Sequence, residues 1–477
     1  MTTIPQINPI SKPVASSIRI TPDLLRKYDR PGPRYTSYPT AVEFNPAYDA
    51  SAYFESLHDA AMRPDDPLSL YLHLPFCEHR CTFCGCNVVI TQHRAVSEKY
   101  LGYLHREVRE VARRLGRRRK VVQYHWGGGT PTYLKIDEIL ALQHVVTECF
   151  EIMPDAEAAI EVDPRVTSRE QIGLLRSIGF NRLSMGVQDF DPEVQAIINR
   201  NQTERQTREL FAYSRSVGFA SINIDLIYGL PLQKPETFAK TLDTVIELRA
   251  DRVAVYSYAH VPWLRTQQKG FDPALLPSPE QKLDLFCLAR EAFLQAGYRQ
   301  IGMDHFSLPE DELAKAVETR TLSRNFMGYT VKAAPDMVGL GVSAIGDVSG
   351  SYAQNQKKLP RYYDAIDKGS LPIERGYRLS ADDQIRRFVI TQLMCNFHLD
   401  MRAVEERFGV VFDHVFEREL LELASPGGLI ANGFVTVSRE AVHVEPLGHL
   451  FVRNVAMLFD RYLLDKKADS PIFSRTV

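Results

Sequence analysis

Six short runs rich in β-branched and aromatic residues, each followed by a longer stretch of helical periodicity, begin at about residue 68. This alternation limits the possible folds more than any other feature of the chain. The strand candidates are residues 68–74, 121–126, 158–162, 182–187, 222–227 and 253–258. Helical patterns fill the gaps, for example at 97–115, 136–150, 169–178, 235–248 and 279–296. Six such units predict an α/β fold with a parallel sheet built from βαβ crossovers. A closed eightfold barrel would need two more units, and no segment supplies them cleanly, so a partial, open (β/α)6 barrel is expected.

The pattern changes on either side of this region. Pro5, Pro9, Pro13, Pro22, Pro31, Pro33, Pro39 and Pro46 forbid long helices near the N-terminus, which reads as an extended arm. Arg26, Lys27, Arg30, Arg34, Tyr35 and Tyr38 give that arm more chemistry than a spacer needs. After Leu371, helical patterns at 381–396, 401–408 and 412–423 precede short strands at 434–437 and 442–445 and a last helix at 447–464. Three helices with a hairpin outline a mainly helical, winged-helix-like module. The expected division is an arm over residues 1–55, a (β/α)6 domain over 56–370 and a helical C-terminal domain over 371–477.

Composition narrows the partners. The chain has 477 residues, 44% apolar and 24% charged, enough to bury a large core without disulfides. A net charge of −2 creates no global field toward nucleic acid or an anionic membrane. From residue 381 onward, 14 acidic residues face 11 basic ones, which argues against a nucleic-acid partner for the C-terminal module. No stretch approaches the roughly 18 apolar residues of a membrane span. The opening MTTIPQINPISKP has neither a basic n-region nor an apolar h-region, so a cytoplasmic protein is expected. A near-neutral chain with its own core is also expected to be a monomer. The basic run Arg113, Arg114, Arg117, Arg118, Arg119 and Lys120 falls where a helix should end, and reads as a solvated helix end.

Four of the seven cysteines, Cys77, Cys81, Cys84 and Cys86, fall within ten residues, while Cys149, Cys287 and Cys395 are scattered. The scattered three read as buried small hydrophobes. The clustered four read as reduced thiols with a metal task. Their core is C-x3-C-x2-C, directly after the first strand. Three thiolates on one loop can hold three irons of a [4Fe–4S] cube, leaving the fourth iron open unless Cys86 supplies it. A structural zinc site would instead need a second ligand pair, for which His79 and His93 are the candidates.

The other strands also end in polar or small residues. The second runs into Gly127, Gly128 and Gly129, where backbone can approach a ligand closely. The third ends with Glu161 and Asp163, the fourth with Gln188 and Asp189, the fifth carries Asp225, and the sixth leads to Ala259 and His260. In barrels of parallel strands the active site is built at the carboxyl ends, so these residues are expected to converge on one face.

C-x3-C-x2-C after the first strand, with GGGTP after the second, resembles the radical S-adenosylmethionine superfamily. RYTSYPTA (34–41), HLPFCEHRCTFCGCN (73–87), HWGGGTPTYL (125–134), EVDPR (161–165), NRLSMGVQDF (181–190), NIDLIYGLP (223–231), GMDHF (302–306) and YAQNQK (352–357) narrow the likeness. Together they resemble the oxygen-independent coproporphyrinogen III oxidases, which act in haem biosynthesis. The resemblance implies one [4Fe–4S] cluster on Cys77, Cys81 and Cys84, with Cys86 an additional cysteine. It also implies two S-adenosylmethionine molecules, bound among Tyr71, Phe83, Gly128, Gly129, Thr130, Glu161, Gln188, Arg200, Asp225, Ala259 and Ile345.

The implied reaction turns two propionate side chains of coproporphyrinogen III into vinyls. A 5′-deoxyadenosyl radical takes hydrogen from the propionate β-carbon, and loss of CO2 and one electron completes the double bond. An electron donor and an electron acceptor are thus implied partners. A substrate with four carboxylates needs cations, for which Arg30, Arg34 and Arg165 are candidates. Haem-binding chaperones related in sequence are the alternative, but they resemble this chain without Cys86 and without the RYTSYPT arm.

Overall fold

The computed structural model describes residues 22–463, 473, 475 and 476. All six expected strands are present: β1 (Leu68–Leu74), β2 (Lys120–Gly128), β3 (Glu151–Val162), β4 (Arg182–Gln188), β5 (Ser221–Tyr228) and β6 (Arg252–Ser257). They pair in chain order and all run parallel. Buried residues dominate both faces of β1, as a parallel strand covered on both sides requires. The intervening helices include Arg94–Arg114, Ile136–Cys149, Arg169–Ser177, Pro235–Leu248 and Pro279–Gln295. Ser168 and Ser278 start two of these helices as reciprocal caps with Gln171 and Gln281.

The sheet is larger than six strands. β7 (Arg299–Ile301) and β8 (His305–Ser307) extend it antiparallel beyond β6. On the other side β9 (Asp336–Leu340) lies parallel to β1. Antiparallel strands β10 (Ile345–Val348), β11 (Ser351–Asn355) and β12 (Ile373–Arg378) follow it. The 12-stranded order ends at β12 on one side and β7 on the other, so the barrel stays open.

The arm and the C-terminal module share one hydrophobic core. Tyr28, Tyr35 and Tyr38 are buried with Val389, Leu393, Phe434, Phe451 and Val455. Polar bonds reinforce this packing: Arg453 donates to the carbonyls of Gly32 and Pro33, and Asn454 to that of Tyr28. The arm is not wholly extended, since Pro22–Tyr28 is helical, and the helix Ala50–Ala61 runs across residue 55. The expected arm over residues 1–21 lies outside the described residues.

In the C-terminal module the helices Ala381–Asn396 and Met401–Phe408 fall where periodicity places them. The expected third helix is broken at Phe416 into Phe412–Val415 and Glu417–Leu423. The last is broken into Pro446–His449 and Val452–Leu458, and its expected end at Leu464 lies outside the described residues. Phe451, at the second break, leaves helical geometry and stacks on Phe434 with ring centroids 4.7 Å apart.

One charge reading needs correction. Arg118 is not part of a solvated helix end but is completely buried, donating to the carbonyls of Ala60, Asp66 and Pro67 and to Asp336.

Candidate active site

The loop after β1 carries Cys77, Cys81 and Cys84 to the carboxyl ends of the parallel strands. There they line a cavity of about 270 Å³ with residues from β2 to β6. Eight of the eleven expected cofactor-binding residues line it: Phe83, Gly128, Gly129, Thr130, Glu161, Gln188, Arg200 and Asp225. Tyr71 stands behind it on β1, its hydroxyl 3.0 Å from His73 Nδ1. Ala259 lines a separate cavity past the end of β6, and Ile345 on β10 packs against a small aromatic cluster around Tyr352.

The thiols sit among donors and cations. Cys77 Sγ lies 3.5 Å from Thr130 Oγ1, while Cys81 Sγ lies 3.7 Å from Arg165 Nη2 and 3.9 Å from Arg200 Nη1. Asp163 orients both guanidiniums, at 2.7 Å from Arg165 Nη2 and 3.5 Å from Arg200 Nη2. Burial opposes ionisation of Asp163, but the two arginines outweigh it and hold its carboxyl below the usual range. The neighbouring Cys86 thiol, which is exposed, draws the Cys84 thiol below its ordinary value.

Backbone and carboxylates form the opposite wall. Gly128 has φ +119°, and a Cβ there would lie 2.6 Å from the His73 ring, so only glycine leaves this cradle open. Glu161 accepts from the Gly128 N–H at 3.0 Å and lies 3.3 Å from His125 Nε2. These contacts overcome the cost of burial and keep Glu161 below the usual carboxylate range. Asp225 accepts from Asn223 at 2.7 Å and Ser184 at 3.0 Å, yet burial pushes its carboxyl up to about 6. Gln188 holds its side chain in the cavity with φ +73°, a left-handed backbone of the kind that collects at functional sites.

Over 454 residues the chain is 47% identical to an oxygen-independent coproporphyrinogen III oxidase of Salmonella typhimurium, covering 95% of this chain and 98% of the relative. This chain belongs to the oxygen-independent coproporphyrinogen III oxidase family. The Escherichia coli K12 member is 46% identical over 454 residues, again covering 95% and 98%. A solved coproporphyrinogen III oxidase from Escherichia coli, described as a radical SAM enzyme, superposes with a TM-score of 0.88 at 44% identity. That match covers 94% of this chain and all of the other. The radical SAM superfamily model matches residues 71–245, and a HemN C-terminal domain model matches 379–451.

Membership in this oxidase family brings a [4Fe–4S] cluster and S-adenosylmethionine, and the residues present fit both. Among the described residues no three His, Cys, Asp or Glu side chains converge on one point, as a single ion such as zinc would need. Thiols spread along one loop beside two guanidiniums suit a larger anionic cluster instead. The open Gly128 cradle and the neighbouring carboxylates supply acceptors and close backbone approach for an amino acid and a ribose.

The sequence alone did not single out Ser184 and Gly186, which line the cavity, or Asn223, which donates to Asp225. Ser184, Gly186 and Gln188 on β4, with Asn223 and Asp225 on β5, repeat every second residue. This period-two stripe on inward faces could have revealed them. Of the arginines expected to hold substrate, Arg34 is paired with Asp304 and Arg165 with Asp163, while Arg30 is exposed in the arm.

Proposed function

We propose that this chain converts two propionate side chains of coproporphyrinogen III to vinyl groups without oxygen, giving protoporphyrinogen IX for haem synthesis. The observation that carries this reading is end-to-end identity with oxidases of that name, arm and C-terminal module included, around one cavity holding the three thiols. When bound, the cluster and S-adenosylmethionine supply the 5′-deoxyadenosyl radical that takes hydrogen from the propionate β-carbon.

The residues of the chain divide the remaining work. Cys77, Cys81 and Cys84 hold the cluster, and Arg165 and Arg200 offset thiolate charge at Cys81. The Gly128–Gly129 backbone receives the methionine amino group, and Glu161 and Asp225 accept from ribose hydroxyls. Arg200 also faces the methionine carboxylate, and Phe83 packs on the adenine. Eight of these expected positions share one cavity, while Tyr71, Ala259 and Ile345 are not among its lining residues. The same reading includes a second S-adenosylmethionine. The enclosing β2–β6 wall keeps water from the radical and fixes one carbon against it.

The chain further acts as a cytoplasmic monomer, taking electrons from one partner and passing the substrate electron to another. No helix among the described residues is long and apolar enough to cross a membrane. The test is turnover by protein purified without oxygen, with its cluster rebuilt and S-adenosylmethionine, reductant and cell extract supplied. Protoporphyrinogen IX should form and should vanish with Cys81→Ser. An intact cluster with no vinyl product would overturn the reading.

A further inference from the structure

A second cavity, of about 330 Å³, opens past the ends of β5 and β6 on the same face as the cysteines. Its wall is largely apolar, with Tyr258, Trp263 and Leu276 among its lining residues, but two cations enter it, Lys282 and Arg475. Asp29 is the lining carboxylate, and it is engaged by Arg475 Nε and by a backbone contact from Arg475 Nη2. Among the described lining residues, two cations against one carboxylate leave one positive charge over. His260, the remaining titratable lining side chain besides Tyr258, is held toward its neutral form by burial.

Lys282 carries that surplus. Its ammonium donates to the Tyr258 carbonyl at 2.9 Å, and among the described residues no carboxylate lies within ion-pair distance. Two further N–H donors are thus available. Its stem passes Gly229, where a Cβ would lie 2.9 Å from Lys282 Cε, and its head lies 5.8 Å from the Tyr228 ring centre. Burial pulls the ammonium down to about 8 against the opposing pull of Asp29, so it stays charged at neutral pH with no directly paired carboxylate among the described residues.

The cavity adjoins the candidate active site through the segment after β6. Tyr256 lines the first cavity and Tyr258 the second, two residues apart. From the same segment, Gln267 donates to the Cys84 carbonyl at 2.6 Å and Gln268 to the Ala259 carbonyl at 3.0 Å. Of the lining residues Trp263 is 57% exposed, and the adjacent Leu264 is 65% exposed, together a broad apolar edge.

We propose that this second cavity seats a pyrrole edge of the tetrapyrrole substrate, with Lys282 pairing a propionate carboxylate that is not reacting and Trp263 covering the ring. The proposal rests on the porphyrinogen reading above. It makes Lys282 a positioning residue, one that orients the macrocycle while another propionate meets the radical.

The test uses the full-length, cluster-loaded protein and two probes, coproporphyrin III and its tetramethyl ester, titrated by fluorescence. Lys282→Gln should weaken coproporphyrin III binding about tenfold or more, the loss expected for a charge-assisted hydrogen bond. It should leave ester binding within twofold of the unsubstituted protein, and Lys282→Arg should restore most of the affinity. In turnover, Lys282→Gln should raise KM far more than it lowers kcat, with S-adenosylmethionine binding unchanged. Equal coproporphyrin III affinity in both proteins, or equal losses for acid and ester, would overturn the subsite. Failure of the unsubstituted enzyme to make vinyl product would instead overturn the functional reading, whatever Lys282 does to porphyrin binding.

Discussion

The guanidinium of Arg118 is closed inside the fold by the carboxylate of Asp336, the first residue of β9. Asp336 also accepts from Arg63 at 2.7 Å and from the Ser349 N–H at 2.6 Å. This cluster ties the start of β9 to the segment before β1, and so holds in place the strand that widens the parallel sheet. Removing Arg118 leaves Asp336 with Arg63 alone and strips donors from the carbonyls of Ala60, Asp66 and Pro67, at a cost of about 2–4 kcal/mol. Arg118→Met should therefore lower the midpoint of denaturant unfolding by that equivalent, and an unchanged midpoint would refute the role.

The arm is held to the C-terminal module by Tyr35, whose hydroxyl donates to Asp460 Oδ2 at 2.9 Å inside the shared core. Tyr35→Phe keeps the ring and removes that donor, at a cost of about 1–2 kcal/mol. The expected outcome is faster proteolytic cleavage within the arm, with the barrel fragment left intact. Cleavage at the same rate as in the unsubstituted protein would count against this anchor.

Asp225 gives a pH signature. Its carboxyl sits at about 6 in the fold, against an ordinary 3.8, so folding favours the protonated form. The resulting penalty is absent at low pH and grows as pH rises toward about 6. Asp225→Asn should remove it, stabilising the ligand-free protein at pH 7.5 by about 1–2 kcal/mol, a figure discounted for the solvent this half-buried group still meets. The gain should fade by about pH 4, and S-adenosylmethionine binding should weaken. A gain of equal size at both pH values would contradict the assignment.

The division of labour among the cysteines is open to an iron count. Cys81→Ser removes a proposed cluster ligand and should abolish the iron and the visible absorption of the rebuilt cluster. Cys86→Ser should retain both, since three ligands on the loop remain. Loss of iron from Cys86→Ser to the level of Cys81→Ser would make Cys86 a ligand.

The six parallel strands were legible because each is an apolar β-branched run with a helical pattern behind it. Strands β9 to β12 were not, since Ile373–Arg378 reads as polar and Asp336–Leu340 is a five-residue run with no helix to announce it. Arg118 escaped for a different reason: its ion partner lies 218 residues away, and neighbouring arginines disguise it as surface. Within the site, cysteines, glycines and strand-end carboxylates stood out by residue type. Lys282 did not, because a lysine in the first turn of a helix looks solvated until the fold brings Gly229 and Tyr228 against it.

The most direct test of the proposed chemistry follows the hydrogen. Coproporphyrinogen III deuterated at the propionate β-carbons should be given to the oxygen-free enzyme with S-adenosylmethionine, and the 5′-deoxyadenosine examined by mass spectrometry. The expected result is one deuterium in each 5′-deoxyadenosine and one 5′-deoxyadenosine for each vinyl group formed. Vinyl product accompanied by unlabelled 5′-deoxyadenosine would contradict hydrogen abstraction at that carbon.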